Sequence, residues 1–401
     1  MTESLADSNS LSRLIARQIV GHPQQRITFA EFMDLALYHP QYGYYATKAR
    51  TIGSKGDFFT SPHLAPDFGE LLAEQFAQMW EIMQRPNPFS LVEVGAGQGV
   101  LAADILRHLH RHYPECYRCL DYQIVERAAP LIAEQQRQLR NLEATGIRLR
   151  WQTLEDIPAG SITGCVFSNE LVDALPVHLV AIDTGQLREV YVTATESESR
   201  TPQFGEVLDE LSMPQLAEYF SAVGVDLPSP RYPDGYRTEV NLAALDWISA
   251  VAKRLQRGYV VTIDYGYASD RYYNPARSQG TLQCYYRHSH HSDPYLYIGD
   301  QDITAHVDFT ALQRQGERYG LQTVGFIQQA LFLMALGLGD RIAAVGQSDA
   351  TDVQEVQARL RRRDALHQLA NPLGLGNFGV LIQSKGLVEN AAQLKGLMLP
   401  M

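Results

Sequence analysis

Three glycines at alternate positions join an apolar run to an amphipathic one. They are Gly95, Gly97 and Gly99, and Glu93 precedes them. The order of strand, glycine turn and helix leaves bare main chain at a helix N-terminus, where amide groups can donate to a ligand. Dinucleotide sites have the spacing G-x-G-x-x-G instead, and Glu93 would repel a pyrophosphate but hold an ammonium or sulfonium group. We therefore predict a nucleotide-like cofactor bound by Glu93, Gly95, Gly97 and Gly99, the alternative being a purely structural turn.

A second acidic residue ends the next predicted strand. Glu126 lies 27 residues beyond Gly99, where a carboxylate can accept hydrogen bonds from a ribose diol; alternatively it is an N-terminal charge for the helix that follows. The glycine turn resembles the first motif of class I S-adenosyl-L-methionine (SAM) methyltransferases. The resemblance implies SAM as the cofactor. It also implies that Thr153 and Leu154 lie in the adenine-binding turn, with Thr153 where an aspartate is usual.

Polar side chains cluster after the fourth predicted strand, 163–168. Asn169, Glu170 and Asp173 follow it, and ligands of parallel sheets lie at the carboxyl ends of strands. Glu170 and Asp173 are predicted to hold a cationic acceptor such as a guanidinium during methyl transfer, and one of them takes up the released proton. The alternative role is capping of the next helix. His306 is a further candidate for proton acceptance or substrate contact, or alternatively a structural group.

These residues require a parallel sheet to position them, and the pattern of the chain predicts one. Strands and helices alternate from residue 89, and after Pro176 two apolar runs flank a turn and predict a hairpin. The predicted strands are 89–94, 121–126, 147–151, 163–168, 177–182, 188–195, 259–264, 321–327 and 378–384. The predicted helices are 10–20, 28–37, 66–83, 98–112, 128–141, 240–256, 308–318, 328–336 and 352–369.

The predicted fold class is α/β, a Rossmann-like sheet of the class I methyltransferase type with an N-terminal helical lobe and insertions. The lobe covers 1–88 and carries a glycine-rich lid loop, and the SAM-binding core covers 89–195 and 239–390. Residues 196–238, rich in Pro, Ser and acidic groups, are predicted to form an insertion. Residues 265–301 are predicted to form a tyrosine-rich loop, which is too long to serve only as a connection between two elements.

The charge balance excludes one class of partner. The 401 residues carry a net charge of -11, which offers no basic footprint for duplex nucleic acid. Met1–Ser10 lacks a basic segment followed by an apolar one, and no apolar run approaches the length of a membrane span. We expect a cytoplasmic protein without membrane insertion. We also expect no metal, because His288, His290 and His291 have no other ligands at metal spacing.

The segment Gly53–Ala73, GSKGDFFTSPHLAPDFGELLA, resembles the G-x-x-G-D-F-x-T-S-P signature of the MidA family. This family includes the mitochondrial arginine methyltransferase needed for assembly of respiratory complex I. Other segments match the family in order over most of residues 28–310: Tyr38-His39-Pro40, Gly43-Tyr44-Tyr45, Glu93 to Gly99, Asn169-Glu170, Asp173 to Pro176, Ile263 to Gly266 and Asp302 to Phe309. The resemblance implies a SAM-dependent protein arginine N-methyltransferase. Its implied target is the large core subunit of a respiratory-type NADH dehydrogenase complex.

The same signature has a physical interpretation of its own. Gly56 gives the loop hinge freedom, and Asp57, Thr60 and Ser61 supply short polar groups before a proline that begins a helix. We expect the loop to close over the cofactor as a lid and to contact it through these four residues. The alternative is a plain helix-entry loop.

Three other functions compete with protein arginine methylation. The first is methylation of a small molecule or of another side chain, and the second is an assembly chaperone that keeps the cofactor fold for binding. The third, a nicotinamide oxidoreductase, is disfavoured by the glycine spacing and by Glu93. The methylated target, the degree of methylation and the oligomeric state are left open by the sequence.

Overall fold

The computed structural model describes residues 2–47, 61–195, 201–287, 289–347, 352–387 and 394–398. The contacts within the chain divide it into two compact units. Unit 1 comprises Met1–Phe58, Val172–Ile248 and Gly266–Gln315, and unit 2 comprises Phe59–Leu171, Ser249–Tyr265 and Gly316–Met401. The predicted SAM-binding core is therefore divided between the two units, because its residues 172–195 lie in unit 1.

The strands of the described residues are β1 (Ile27–Thr28), β2 (Phe89–Val94), β3 (Leu120–Val125), β4 (Arg148–Gln152), β5 (Ile162–Asn169), β6 (His178–Asp183), β7 (Gln186–Thr195), β8 (Gln203–Asp209), β9 (Arg237–Val240), β10 (Leu255–Asp264), β11 (Gly266–Tyr267), β12 (Gln283–Tyr286), β13 (Ser289–His291), β14 (Asp302–Thr304), β15 (Val307–Asp308), β16 (Gln322–Gln328) and β17 (Gly379–Lys385). The helices are α1 (Thr2–Gly21), α2 (Phe29–Tyr38), α3 (Tyr44–Thr47), α4 (Ser61–Leu64), α5 (Asp67–Ile82), α6 (Val100–His112), α7 (Pro114–Cys119), α8 (Ala129–Glu143), α9 (Gln215–Val223), α10 (Leu242–Arg254), α11 (Ser269–Tyr272), α12 (Phe309–Arg318), α13 (Gln329–Leu336), α14 (Leu338–Gln347) and α15 (Val353–Ala370).

Unit 2 is built on a mostly parallel sheet in the order β16-β17-β10-β5-β2-β3-β4. The strands from β10 to β4 are parallel, whereas β17 is antiparallel to both of its neighbours. Every residue of β2 and β3 is buried, as expected of strands covered on both faces by helices. Chain order reverses between β2 and β5, and ligands of such sheets bind outside the carboxyl ends of the strands at that point. The predicted α/β class with a Rossmann-like sheet is confirmed.

Two amphipathic helices form much of the core of unit 2. Leu101, Ile105 and Leu109 of α6 recur at four-residue spacing and are buried, which explains why this run forms a helix with one apolar face. On α5, Phe76 packs against Phe167 of β5 with their ring centroids 4.9 Å apart. The buried apolar residues of α6 belong to the same apolar core, so the helix that follows the glycine turn packs with α5 and the sheet.

Unit 1 contains a second sheet, which is antiparallel. The predicted hairpin forms as β6 and β7, joined by Thr184 and Gly185, whose positive φ angles suit a two-residue turn. β1 and β8 pair with β7, and β9 pairs with β6. The predicted insertion 196–238 therefore contributes β8 to this sheet and also contains helix α9. Leu11 and Ile15 of α1 and Phe32 of α2 belong to the apolar core of this unit.

One buried carboxylate anchors the tyrosine-rich segment in unit 1. Glu239 of β9 is 2% exposed, and its Oε1 accepts from the backbone N–H groups of Thr281 (2.7 Å) and Leu282 (2.9 Å). Its Oε2 accepts from the hydroxyls of Tyr272 (3.0 Å) and Thr281 (3.1 Å). Because a buried charge is costly unless it is hydrogen-bonded, these donors explain how Glu239 is tolerated. They also hold residues 272–282 to the sheet.

Candidate functional site

The three glycines of the turn at the end of β2 have two different roles. Gly95, Gly97 and Gly99 all have left-handed φ angles, of 74°, 51° and 79°. A side chain at Gly95 would meet Leu171 at 2.7 Å, and one at Gly99 would meet Gln135 at 3.3 Å, so these two positions permit close packing. Within the part of the chain that the structure describes, nothing lies within 4 Å of a side chain built at Gly97. Gly97 is therefore the glycine that a ligand can approach.

Helix α6 begins directly after this turn. Its N-cap is Gly99, which has no side chain to accept from the first backbone N–H groups of the helix. Free amides at a helix N-terminus attract electron-rich ligand atoms. The turn thus offers both space and hydrogen-bond donors to a nucleoside-like ligand.

Glu93 lies inside the protein. It is 3% exposed, and its Oε2 accepts from the Tyr122 hydroxyl at 2.6 Å. Burial raises the pKa of Glu93 to about 7, and the charge of Glu126 adds to the rise, whereas the hydrogen bond from Tyr122 lowers it. The partner that the structure shows for this carboxyl is thus Tyr122 on the neighbouring strand β3.

We expect Glu93→Gln to stabilise the protein at alkaline pH. A carboxyl whose folded pKa is raised from 4.5 to about 7 contributes stability that is fully present below pH 4.5 and is lost as the pH rises through 7. Glutamine keeps the acceptor for Tyr122 without the charge, so the free energy of unfolding of the variant should exceed that of the parent by about 2–3 kcal/mol at pH 8.5. Denaturant titrations from pH 5 to 8.5 would measure the difference. Parallel pH curves for parent and variant would contradict it, and the exposed Glu143→Gln is the matched control.

Glu126 stands at the end of β3 with one accepting position left. Its Oε1 accepts from the backbone N–H groups of Arg127 (2.9 Å) and Ala128 (3.0 Å), and its Oε2 accepts from Nε2 of Gln135 (3.3 Å). Burial raises the pKa of Glu126, and these hydrogen bonds oppose the rise. A carboxylate has about four lone-pair sites. Glu126 therefore holds the two backbone N–H groups that precede α8 and retains an acceptor on Oε2 for a ribose hydroxyl.

Glu126→Ala is expected to weaken SAM binding. A hydrogen bond to a charged acceptor contributes about 1.5–3 kcal/mol, so the dissociation constant should rise by roughly ten- to a hundredfold. Calorimetric titration with SAM gives this constant directly. Glu143→Ala, at an exposed position of α8, should leave it unchanged. Equal affinity of Glu126→Ala and the parent would exclude a ribose contact.

The turn after β4 is closed by an aspartate that the sequence pattern did not reveal. The backbone N–H and the hydroxyl of Thr153 both donate to Oδ2 of Asp156, at 3.0 and 2.8 Å. The carbonyl of Leu154 accepts from the backbone N–H of Ile157 at 3.2 Å. The polar groups of Thr153 are thus used within the turn, and the only signal for Asp156 in the sequence was its spacing of three residues from a threonine.

Glu170 is held in an uncommon backbone conformation at the carboxyl end of β5. Its φ angle is 52°, which few non-glycine residues adopt. Its backbone N–H donates to the carbonyl of Ile263 at 2.9 Å, and the N–H of Leu171 donates to the buried carboxylate of Asp264 at 3.1 Å. Such conformations persist only where the surroundings fix them, and they concentrate at functional sites. Asp264, which was not among the predicted site residues, thus positions the chain around Glu170.

Among the described residues, two donors orient the carboxylate of Glu170. Its Oε1 accepts from the backbone N–H of Ser61 at 3.3 Å and from Nδ2 of Asn169 at 3.0 Å. Oδ1 of Asn169 is buried and has no hydrogen-bond partner among the described residues. Unpaired buried acceptors are uncommon in folded proteins. Asn169 and Glu170 therefore present oriented acceptor atoms at the edge of the sheet where ligands bind.

Helix α4 contacts both the end of β5 and the glycine turn after β2. Ser61 is fully buried, and besides its bond to Glu170 its hydroxyl accepts from Nε2 of Gln329 at 3.2 Å. Two residues on, Nε2 of His63 lies 3.4 Å from Oε1 of Gln98 in the glycine turn. Ser61 thus has partners inside unit 2. The other predicted lid residues, Gly56, Asp57 and Thr60, lie outside the described residues.

Two predicted catalytic residues belong to unit 1. Asp173 is 5% exposed, and its carbonyl accepts from the backbone N–H of Ala305 at 2.9 Å. Burial raises the pKa of Tyr45, and the charge of Asp173 adds to the rise. Burial, with the nearby charge of Arg277, lowers the pKa of His306 to about 4. The imidazole is therefore neutral at pH 7, and a group with this pKa is a weak proton acceptor.

Comparison with known proteins agrees with this geometry. A family model of S-adenosyl-L-methionine-dependent methyltransferases matches residues 71–327. Protein arginine methyltransferase NDUFAF7, mitochondrial, from Rattus norvegicus is 30% identical over 371 residues, which cover 87% of this chain and 79% of the relative. The homolog from Drosophila melanogaster is 29% identical over 330 residues, covering 77% and 71%. The crystal structure of a COG1565 superfamily member from Burkholderia thailandensis, bound to S-adenosyl-homocysteine, has a TM-score of 0.82 and 32% identity, covering 99% of this chain and 96% of that one.

The comparisons also correct one expectation. The relatives from R. norvegicus and D. melanogaster are named as mitochondrial proteins, so the expected cytoplasmic location is wrong. Among the described residues, no single helix has the length and apolar composition to cross a membrane; α13 and α14 reach them only as a pair, bent by 70°.

The site fits the cofactor of this family. Gly97 gives space, α6 gives free amides, and Glu126 gives an acceptor, which together suit a nucleoside with a ribose diol. The family model covers more than half of the chain. The chain belongs to this family of SAM-dependent methyltransferases, and its cofactor is S-adenosyl-L-methionine.

Proposed function

We propose that this methyltransferase methylates an arginine side chain of a protein, and that the target is the large core subunit of a respiratory-type NADH dehydrogenase complex. The relatives from R. norvegicus and D. melanogaster are named protein arginine methyltransferases, and both names include NDUFAF7. In this chain, the observation that best supports the proposal is the oriented carboxylate of Glu170 at the end of β5.

The chemistry of an arginine acceptor explains why a carboxylate is needed. A guanidinium has a pKa above about 12 and offers only N–H donors, so a carboxylate is its natural partner. SAM, when bound, supplies a methyl group on a positively charged sulfur. In the proposed reaction a guanidinium nitrogen forms the new N–CH₃ bond, and the electrons of the broken S–CH₃ bond return to sulfur. The N–H proton that is released passes to the carboxylate of Glu170 or Asp173.

The residues contribute orientation and charge to this step. Glu170 accepts N–H donors of the guanidinium and so directs the attacking nitrogen, and its charge offsets the positive charge that moves onto the acceptor. Oδ1 of Asn169 is an additional acceptor. We propose Asp173, three residues further along the chain, as the second carboxylate, and His306 as a neutral substrate contact.

Labelling would test the proposal. The protein is incubated with methyl-labelled SAM and an extract of its own cells, and the labelled protein is hydrolysed and identified by mass spectrometry. We expect the label on arginine of the NADH dehydrogenase core subunit, and none with Gly97→Val as the blank. Label on lysine or on a free metabolite would contradict arginine methylation, and label on arginine of another protein would contradict the proposed target.

A further inference from the structure

Gln135 of α8 joins separate parts of the cofactor site. It is fully buried, and its Nε2 donates to the carbonyl of Gly97 at 2.8 Å and to Oε2 of Glu126 at 3.3 Å. Its Oε1 accepts from Nε1 of Trp151 on β4 at 3.1 Å. One side chain thus connects the glycine turn, the end of β3 and the neighbouring strand.

The partners of Gln135 allow only one orientation of its amide. A backbone carbonyl and a carboxylate only accept, so the NH₂ group must face Gly97 and Glu126, and it uses one proton for each. An indole N–H only donates, so the amide oxygen must face Trp151. Both ends of the amide specify the same rotamer, because turning the group over would place like atoms against each other at all three contacts.

We infer that Gln135 is a positioning residue for SAM binding, which fixes the peptide of Gly97 and the carboxylate of Glu126 relative to each other. Among the residues that the structure describes, nothing fills the space beside Gly97, and Glu126 carries the spare acceptor for a ribose hydroxyl. Without Gln135, the glycine turn and the carboxylate would be held separately. The cofactor would then have to select the productive arrangement when it binds, and its affinity would fall accordingly.

The placement of Gln135 in α8 argues against an incidental role. It lies four residues from both Leu131 and Leu139, on the buried stripe of the helix, where an apolar side chain is the usual choice. The backbone at Gln135 also comes so close to the turn that a side chain at Gly99 would lie 3.3 Å from its Cα. A buried amide costs free energy unless all of its groups are bonded, and here they are.

Gln135→Met tests the inference with a matched control. Methionine has a similar length and fills the same volume without hydrogen bonds. Gln75 of α5 is equally buried, and it is bonded to Gln78 (2.8 Å) and to the backbone of Gly396 (2.9 Å). We expect Gln135→Met to bind S-adenosyl-homocysteine roughly tenfold more weakly or worse in calorimetry, and Gln75→Met to bind it within about twofold of the parent. Both variants should unfold at lower temperature.

Gln135→Glu tests the inference by a pH dependence of the affinity, which a merely structural role of Gln135 would not produce. The introduced carboxyl faces two acceptors, so when ionised it repels Glu126 and the Gly97 carbonyl, whereas when protonated it can donate to one of them. The ratio of variant to parent affinity should therefore rise as the pH falls from 8 to 6. Other charged groups in this network are Glu126, Arg127 and, through Glu126, Glu93; the parent contains all of them, so the ratio isolates residue 135.

Two results would overturn the inference. One is a Gln135→Met variant that binds S-adenosyl-homocysteine as tightly as the parent, or that loses no more affinity than Gln75→Met. The other is a pH-independent affinity ratio for Gln135→Glu. If Gln135→Glu does not fold, the comparison of the two methionine variants decides the question alone.

Discussion

Gly97→Val is expected to lower the affinity for SAM by roughly a hundredfold or more, about 2.7 kcal/mol, while the protein remains folded. Of the three glycines in the turn, only Gly97 has open space beside it among the described residues. A valine there would occupy the volume that the cofactor needs, whereas no described residue lies close enough to clash with it. The measurement is a calorimetric titration with SAM.

Backbone strain must be separated from the loss of ligand space, and the chain contains a matched position. Gly160 has a φ of 62°, close to the 51° of Gly97, and it too has nothing described within 4 Å of a side chain. A β-branched residue is similarly strained at either site, at a cost on the order of 1–2 kcal/mol. Gly160→Val should therefore lose stability like Gly97→Val but bind SAM like the parent. Equal affinities for the two variants would contradict the assignment of Gly97 to the cofactor site.

Glu170→Gln is expected to slow methyl transfer by about 10²–10³-fold and to leave the affinity for SAM unchanged. The glutamine oxygen can still accept from Ser61 and Asn169, so the loop should keep its conformation. The second carboxylate oxygen, however, becomes an NH₂ group, which repels the N–H donors of a guanidinium instead of accepting from them. Single-turnover rates with labelled SAM, alongside calorimetry, separate the chemical step from binding.

The control for this prediction is Glu143→Gln, which makes the same exchange at an exposed position of α8. It should turn over like the parent. Full activity of a variant that combines Glu170→Gln with Asp173→Asn would exclude the proposed role of these carboxylates. Weakened SAM binding by Glu170→Gln would instead assign Glu170 to the cofactor.

The sequence predicted those parts of the site that depend on local order along the chain. Gly95, Gly97 and Gly99 have left-handed φ angles, and Glu126 has a free accepting position at a strand end, as the local pattern required. Gln135 and Asp264 were missed because Gln135 bonds to Gly97, 38 residues away, and Asp264 to Leu171, 93 residues away, and no local pattern reports such contacts. The assigned roles of the predicted cofactor-binding and catalytic residues remain predictions.

Several buried strands were predicted because burial leaves them with mostly apolar residues. Phe89–Val94 was predicted at the same bounds because every one of its residues is buried. Gln203–Asp209 was missed because most of it faces solvent, so its sequence shows no apolar pattern, and it forms a strand by pairing with the edge of β7. The predicted cytoplasmic location was wrong for a different reason. Charge and hydropathy describe how the chain behaves in water, and they do not identify the compartment that receives it.

The position of β17 in the sheet has a consequence for how the protein is made. Gly379–Lys385 lies between β10 and β16, yet it leaves the ribosome after both of them. Until it arrives, β10 presents an unpaired and largely apolar edge, and β16 has no partner in the described part of the sheet. Such an edge invites pairing with other chains. We therefore expect a chain truncated before Gly379 to aggregate rather than to form a partly active enzyme.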